Sequence, residues 1–224
     1  MQISEAGIVG ARGGAYRDRE WVPHMGARLI RRKLGVLTWR RYEKFAVVRN
    51  PYDRMVSMFW WLLKENQRQE LASAPFDVAR QTFRSWLAQA DAGKNINKLC
   101  IGPRYCLNYV LYYERLEEEF AALSKHFGQK PLTLPRYKAG ARLREEPWRD
   151  YYDEATDRIV QHQNGFELAF FGYDLKGGPY RQSTALRARR LLRLDPARIS
   201  NALRHPRSPL EIVPHPLDHS GPQE

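Results

Sequence analysis

The sequence contains little cysteine: two residues, Cys100 and Cys106, in a chain of 224. Two thiols cannot cross-link a fold of this size, and neither lies at a spacing typical of zinc ligands. We therefore expect two reduced, partly buried thiols, no disulfide framework and no bound metal.

Long apolar stretches are also lacking, since no run approaches the roughly 18 residues that a membrane-spanning helix needs. The first residues, MQISEAGIVGARGG, lack the basic start and apolar core of a secretory signal peptide. From the chain as given we expect a soluble, cytoplasmic protein.

Acidic residues are outnumbered, with 25 Asp and Glu against 37 Lys and Arg, for a formal net charge of +12. This excess indicates an anionic partner: nucleic acid, a phosphorylated cofactor, an acidic glycan or a membrane surface. Hydrophobic residues make up 43% and aromatic residues 12%. These fractions are enough for a buried core, so a wholly disordered chain is excluded.

A change in composition divides the chain near residue 177. The last 48 residues contain eight arginines, no lysine and four acidic residues, begin Gly-Gly-Pro and end in IVPHPLDHSGPQE. We expect one domain over residues 1–176 and an Arg/Pro-rich, partly disordered tail over residues 177–224. A short helix is expected near residues 185–194 and disorder beyond Pro206, so removing the tail should hardly change the melting temperature.

The body alternates strand and helix patterns. The continuous apolar run at residues 45–48 predicts a strand buried on both faces, and the aromatic and β-branched residues 109–113 predict a second strand. Apolar periodicity predicts helices over 25–34, 76–90, 116–127 and 151–163. Strands that alternate with helices predict an α/β fold with a mainly parallel sheet.

The densest motif is FAVVRNPYDRMVS, residues 45–57. Its strand ends at Arg49, and Asn50 and Pro51 are favoured residues for a helix start. Free N–H groups at that start, the guanidinium and the Ser57 hydroxyl two turns later can together hold a phosphate. The alternative is an arginine that ends a strand and a serine that faces solvent.

The segment RNPYDRMVSMF closely resembles the 3′-phosphate-binding segment of sulfotransferases, in particular the family-2 type that includes carbohydrate O-sulfotransferases. Three later segments resemble further parts of that family in the right order: YVLYYERLEEEF, YYDEATDRIV and FELAFFGYDL. The resemblance implies a three-layer, P-loop NTPase-like parallel sheet flanked by helices. It also implies that Arg49 and Ser57 bind the 3′-phosphate of the sulfate donor, 3′-phosphoadenosine 5′-phosphosulfate, with no metal.

The same resemblance singles out His24, which lies 25 residues before Arg49. Family members have a general base at about this distance, and histidine has a suitable pKa for taking a proton from a hydroxyl. The alternative is an ordinary surface or helix-capping histidine. Lys138 and Arg142 lie where the family often has donor- or acceptor-binding residues, although the match is loose.

One part of the family pattern is missing. The glycine-rich segment Gly10–Gly14 has no Lys-Thr/Ser pair and no buried strand before it, so it does not match the loop that holds the 5′-phosphosulfate. We expect that the first strand is absent from this chain, that Met1 is an internal start or the chain a fragment, and that sulfuryl transfer is weak. A role for Arg12 near the acceptor is a minor alternative.

The sequence thus predicts a sulfotransferase that acts on a hydroxyl, with a carbohydrate favoured over a small phenol. The alternative is a degenerate or truncated sulfotransferase fold that binds nucleotides or nucleic acid without catalysis. Nucleic acid is the less favoured partner, because we find no zinc spacing, no RNP-like strand motif and no helix more basic than its surroundings.

Overall fold

A computed structural model describes residues 24–90, 95–130, 134, 140–204 and 206–211. The strands in these ranges are β1 (Phe45–Val48), β2 (Cys100–Ile101), β3 (Arg104–Tyr105) and β4 (Tyr109–Tyr112). The helices are α1 (Ala27–Leu34), α2 (Val36–Arg41), α3 (Pro51–Leu62), α4 (Glu65–Ser73), α5 (Phe76–Gln89), α6 (Ile96–Leu99), α7 (Leu116–His126), α8 (Glu154–Phe171) and α9 (Thr184–Leu194). Short 3-10 turns follow at Tyr113–Arg115, Trp148–Tyr151, Pro196–Asn201 and Pro209–Glu211.

A small parallel sheet joins two distant parts of the chain. Strand β1 pairs with β4 in parallel, with Phe45 opposite Tyr109 and Val48 opposite Tyr112. Strands β2 and β3 form a separate antiparallel hairpin. The predicted α/β class with parallel pairing is confirmed. The predicted three-layer, P-loop-like sheet is not confirmed, because the parallel sheet has two strands within the described ranges.

Strand β1 is not buried on both faces, as its apolar run predicted. Phe45 and Val47 are 47% and 50% exposed, whereas every residue of β4 is buried. On the face that they share, Leu123 of α7 packs against Tyr109 and Leu111 of β4. This cover protects β4, and β1 beside it is left with one apolar face open to solvent.

The main core lies between α3, α5 and α8. Met55, Val56, Phe59 and Trp60 on α3 are fully or almost fully buried. The Trp60 indole donates a hydrogen bond of 3.1 Å to the Tyr151 hydroxyl, which satisfies its one polar atom. The motif with the strongest sequence signal therefore also forms the centre of the core.

The predicted helices at α1, α3, α5 and α7 are confirmed to within a few residues. Helix α8 continues eight residues beyond its predicted end, through a kink at Asn164, and ends at the left-handed Gly172. Helix α4 was missed because its sequence, ENQRQELAS, has little apolar periodicity and Leu71 is its one buried residue. Among the described residues, no helix is both long and apolar enough to span a membrane.

The expectation of a loosely attached tail is wrong for residues 184–211. Leu191 of α9 is fully buried, and α9 packs against α8. Asn201 is also fully buried; its side chain accepts from the Tyr105 N–H at 3.1 Å and donates to the Pro103 carbonyl at 2.7 Å. The sequence indicated the helix but not its packing, because three of the four leucines of α9 (Leu186, Leu192 and Leu194) are exposed and Leu191 alone is buried.

This packing predicts that truncation after Lys176 will destabilise the protein. Losing the burial of Leu191 alone costs about 1.5–3 kcal/mol, and the Tyr105 N–H loses its partner in a buried position. We expect the melting temperature to fall by more than about 5 °C relative to a control chain that ends at Glu211. Equal melting temperatures for the two chains would contradict the packing.

Candidate functional site

The buried residue Asn50 connects four parts of the structure at the end of β1. Its N–H donates to Glu114 Oε1 at 2.9 Å, just beyond β4. Its side-chain nitrogen Nδ2 donates to the carbonyl oxygens of Asp174 and Gly177 at 3.0 and 2.9 Å. Its Oδ1 accepts from the Tyr52 N–H at 3.0 Å, which caps α3. One residue, through its backbone N–H and its side chain, therefore joins the ends of both parallel strands, the start of α3 and the turn after α8.

That turn is itself built around Asp174. Its carboxylate oxygen Oδ1 accepts from the N–H groups of Lys176 and Gly177 at 2.8 and 3.0 Å. Gly178 has a φ of +107°, and a Cβ there would lie 2.5 Å from the Gly172 carbonyl oxygen. Glycine is therefore required for the turn to approach the end of α8 so closely.

Two buried phenols complete the network. The Tyr173 hydroxyl donates to Glu114 Oε2 at 2.9 Å, and the Tyr52 hydroxyl donates to the Asp157 carboxylate. Burial, reinforced by Asp157, raises the pKa of Tyr52, and burial together with Glu114 raises the pKa of Tyr173. Both phenols therefore stay protonated at neutral pH and act as donors.

The predicted phosphate ligand Arg49 lies at the end of β1, with 23% of its side chain exposed. Its Nε donates to Asp53 Oδ2 at 2.7 Å, and its guanidinium lies over the Tyr113 ring at 4.2 Å. The two terminal nitrogens make no hydrogen bond with any described residue. They are therefore the atoms of Arg49 that remain for an anionic ligand.

The start of α3 offers fewer free donors than the sequence predicted. The Tyr52 N–H is bonded to the Asn50 side chain, the Asn50 N–H is bonded to Glu114, and Pro51 has none. Of the first turn, the Asp53 N–H is left without a partner among the described residues. Fewer donors remain because the Asn50 side chain accepts the Tyr52 N–H and Glu114 accepts the Asn50 N–H.

The second predicted ligand, Ser57, lies on α3, partly buried and one turn after Asp53. Its hydroxyl makes no hydrogen bond within the described part of the chain. Residues four apart share a helix face, so Ser57 lies on the same side of α3 as Asp53, the partner of Arg49. The structure thus keeps Arg49 and Ser57 on one side of the motif.

The predicted general base, His24, lies at the start of the described residues, three positions before α1. It is exposed, has a φ of +60° and precedes α1, which packs against α2, α6 and β2. Within the described ranges no hydrogen bond or ion pair joins His24 to Arg49 or Ser57. The segment Gly10–Gly14 with Arg12, and Lys138, lie outside the described residues.

The weaker candidate Arg142 belongs to a different neighbourhood. Its guanidinium lies 5.7 Å from the centre of the Tyr151 ring, beside the core under α3 and α5. No hydrogen bond in the described structure joins it to Arg49 or Ser57. Its position therefore does not support a role in the Arg49 site.

Sequence reasoning missed a buried ion pair next to the motif. Arg54 contacts Glu167 Oε2 at 3.2 Å and donates to Asn164 Oδ1 at 2.6 Å. Glu167 and Asn164 are three residues apart on α8 and both are buried. This contact ties α3 to α8, so removal of either charge would leave the other buried and uncompensated.

A second missed feature is the charge of α1. Four of its eight residues are basic and none is acidic: the helix reads ARLIRRKL. The prediction that no helix is more basic than its surroundings was therefore wrong. A count over short windows, rather than over whole regions, would have found it.

The two cysteine thiols are held in their protonated form. Burial raises the pKa of Cys100 to about 12 and that of Cys106 to about 11, so both stay protonated at neutral pH. Among the described residues, no group of three or more metal-ligating side chains is present.

Comparison with protein-family models, with curated proteins and with solved structures found no match to this chain.

The network predicts that Asn50→Ala will lower the free energy of unfolding by about 2–4 kcal/mol, through loss of the helix cap and of the partner of two carbonyls. The control is Asn66→Ala, an exposed asparagine on α4, for which we expect less than about 0.5 kcal/mol. Urea unfolding of the two variants measures the difference. Similar values for both would remove Asn50 from its connecting role.

Proposed function

We propose that this chain is a sulfotransferase-type protein that binds the 3′-phosphate of 3′-phosphoadenosine 5′-phosphosulfate at Arg49 and Ser57. The acceptor is a hydroxyl, with a carbohydrate favoured. The proposal includes a P-loop-like sheet of which β1 and β4 form a part.

One observation carries the proposal: the four segments that resemble the family meet around two residues. Asn50 contacts Glu114 of the second segment and Asp174 of the fourth. Tyr52 contacts the third segment, through the Asp157 carboxylate and through the Tyr152 hydroxyl, which donates to the Tyr52 carbonyl at 2.7 Å. Segments that resemble one family only by chance have no reason to converge on a single network.

The chemistry left open at this network suits a phosphate. Asp53 is bonded to Nε and not to the terminal nitrogens of Arg49, so both terminal nitrogens can donate to one phosphate while Nε keeps its acidic partner. The Ser57 hydroxyl adds a neutral donor on the same side of α3. Tyr113, stacked under the guanidinium, restrains its plane and so reduces the entropy lost on binding.

In the reaction that we propose, His24 accepts the proton of the acceptor hydroxyl while that oxygen forms a bond to sulfur. The bond between sulfur and the 5′-phosphate oxygen breaks in line, which yields a sulfate ester and adenosine 3′,5′-bisphosphate. Arg49 and Ser57 hold the nucleotide in place during transfer. The sequence has no Lys-Thr/Ser loop to stabilise the leaving oxygen, so nucleotide binding is the first property to test.

A second candidate function is binding without catalysis. The lack of a Lys-Thr/Ser loop in the sequence favours it, because such a loop would stabilise the charge that develops on the leaving oxygen. Such a protein would bind the bisphosphate but transfer no sulfuryl group. A mixed-sequence oligonucleotide that binds more tightly than the bisphosphate would favour a nucleic-acid partner instead.

The binding proposal predicts that Arg49→Ala weakens the binding of adenosine 3′,5′-bisphosphate by about 2–4 kcal/mol, because a charge-assisted contact to the 3′-phosphate is lost. Calorimetry measures this loss against Arg41→Ala, an exposed arginine on α2 with the same change of charge. Adenosine 5′-monophosphate, which has no 3′-phosphate, should bind both variants equally. Unchanged affinity of Arg49→Ala for the bisphosphate would exclude Arg49 as a ligand.

The catalytic proposal predicts that His24→Gln lowers kcat by about 10²–10⁴ and leaves donor affinity unchanged. Transfer of labelled sulfate to glycan acceptors measures kcat, and His162→Gln, an exposed histidine on α8, is the matched control. Full turnover by His24→Gln would make His24 a surface residue. A chain with no turnover but normal bisphosphate binding would support the second candidate.

A further inference from the structure

A cleft of about 930 Å³ lies between α1, the α6–β2 segment and the turn at Pro196–Asn201. Its volume falls within the range of small-molecule sites. Four arginines line it, and none of its described lining residues is acidic: Arg28, Arg31, Arg32 and Arg198. The cleft shares no lining residue with the Arg49 site.

Three of these arginines lie close together without acidic partners. Arg31 and Arg32 follow Arg28 by three and four residues on α1, so their charges are neighbours on the helix surface. None of the three forms an ion pair with a described residue. Neighbouring like charges destabilise a helix slightly, and a bound anion would remove this cost.

Arg198 closes the cleft from the opposite side. Its Nε contacts Asp195 at 3.3 Å, and its guanidinium lies 5.2 Å from the centre of the Phe166 ring. Its Nη1 is buried and has no hydrogen-bond partner. As a lining residue, Arg198 adds a fourth positive charge to the cleft.

The rest of the lining is largely apolar. Leu29 and Val36 are 43% and 45% exposed at the cleft, and Ile101 and the Cys100 side chain add to the same surface. The Cys100 thiol stays protonated, so it contributes apolar surface and not charge. Guanidinium groups around an apolar floor match a ligand that is itself part charged and part apolar.

We propose that this cleft binds a compact amphiphilic organic anion, with an aromatic or aliphatic body that carries a phosphate, sulfate or carboxylate group. The apolar body lies on Leu29 and Val36, and the anionic group takes hydrogen bonds from Arg31, Arg32 and Arg198. The site is independent of the nucleotide site at Arg49.

The test uses 1-naphthyl phosphate as the probe, with 1-naphthol and inorganic phosphate as its two halves. Calorimetry with the full chain should give at least about tenfold tighter binding of 1-naphthyl phosphate than of either half. Equal binding of 1-naphthol would overturn the role of the arginines, and equal binding of inorganic phosphate would overturn that of the apolar floor.

Variants then locate the binding. The double variant R31Q/R32Q should lower the affinity for 1-naphthyl phosphate by about tenfold or more. The matched control R40Q/R41Q removes the same charge from α2 outside the cleft and should change the affinity less than about threefold. Equal losses of affinity in the two double variants would show that a basic surface attracts the probe without a defined site, and would overturn the proposal.

Two further variants separate this site from folding defects and from the nucleotide site. Val36→Glu places a negative charge in the cleft without removing an arginine, so it should also weaken the binding of 1-naphthyl phosphate. Wild-type affinity of this variant for 1-naphthyl phosphate would contradict the proposal. Arg49→Ala should bind 1-naphthyl phosphate like the wild type; a loss there would assign the probe to the Arg49 site. Binding of a mixed-sequence oligonucleotide but not of the probe would also overturn the proposal.

Discussion

The rest of this structure depends on the hydrogen bonds of Asn50. Its amide reaches the turn at Asp174 and Gly177, 124 and 127 residues away in sequence, and its carbonyl caps α3. Because its backbone N–H is bonded to Glu114, the same residue also holds the ends of β1 and β4 together. Two short strands would give little stability alone, so this polar network and the core beneath α3 define how the segments assemble.

The network also determines what the neighbouring residues can do. It uses the donors at the start of α3, which limits anion binding there to the side chains of Arg49 and Ser57 and the N–H of Asp53. Arg49 is held by Asp53 and Tyr113, so it is ordered before a ligand arrives. The arginines of α1 differ because they form no ion pair with a described residue. The chain thus has two basic regions with different chemistry.

The local structure of the motif was predictable from sequence, because Asn50 and Pro51 favour a helix start whatever the rest of the fold is. The exposure of Phe45 and Val47 was not, because an apolar run does not reveal which of its faces is covered. The packing of α9 depends on Leu191 and Asn201 reaching distant partners, and no local pattern encodes such contacts. For the same reason the sequence did not reveal that Glu114, 64 residues away, would accept the Asn50 N–H.

The central claim is that a nucleotide phosphate binds at the end of β1. Amide NMR spectra of the labelled protein during titration with adenosine 3′,5′-bisphosphate test it most directly. We expect saturable shift changes concentrated at Arg49, Asp53 and Ser57, with the Asp53 amide moving most because its N–H has no other described partner. Changes confined to Arg31 and Arg32 in the α1 cleft, with Asp53 unmoved, would contradict it.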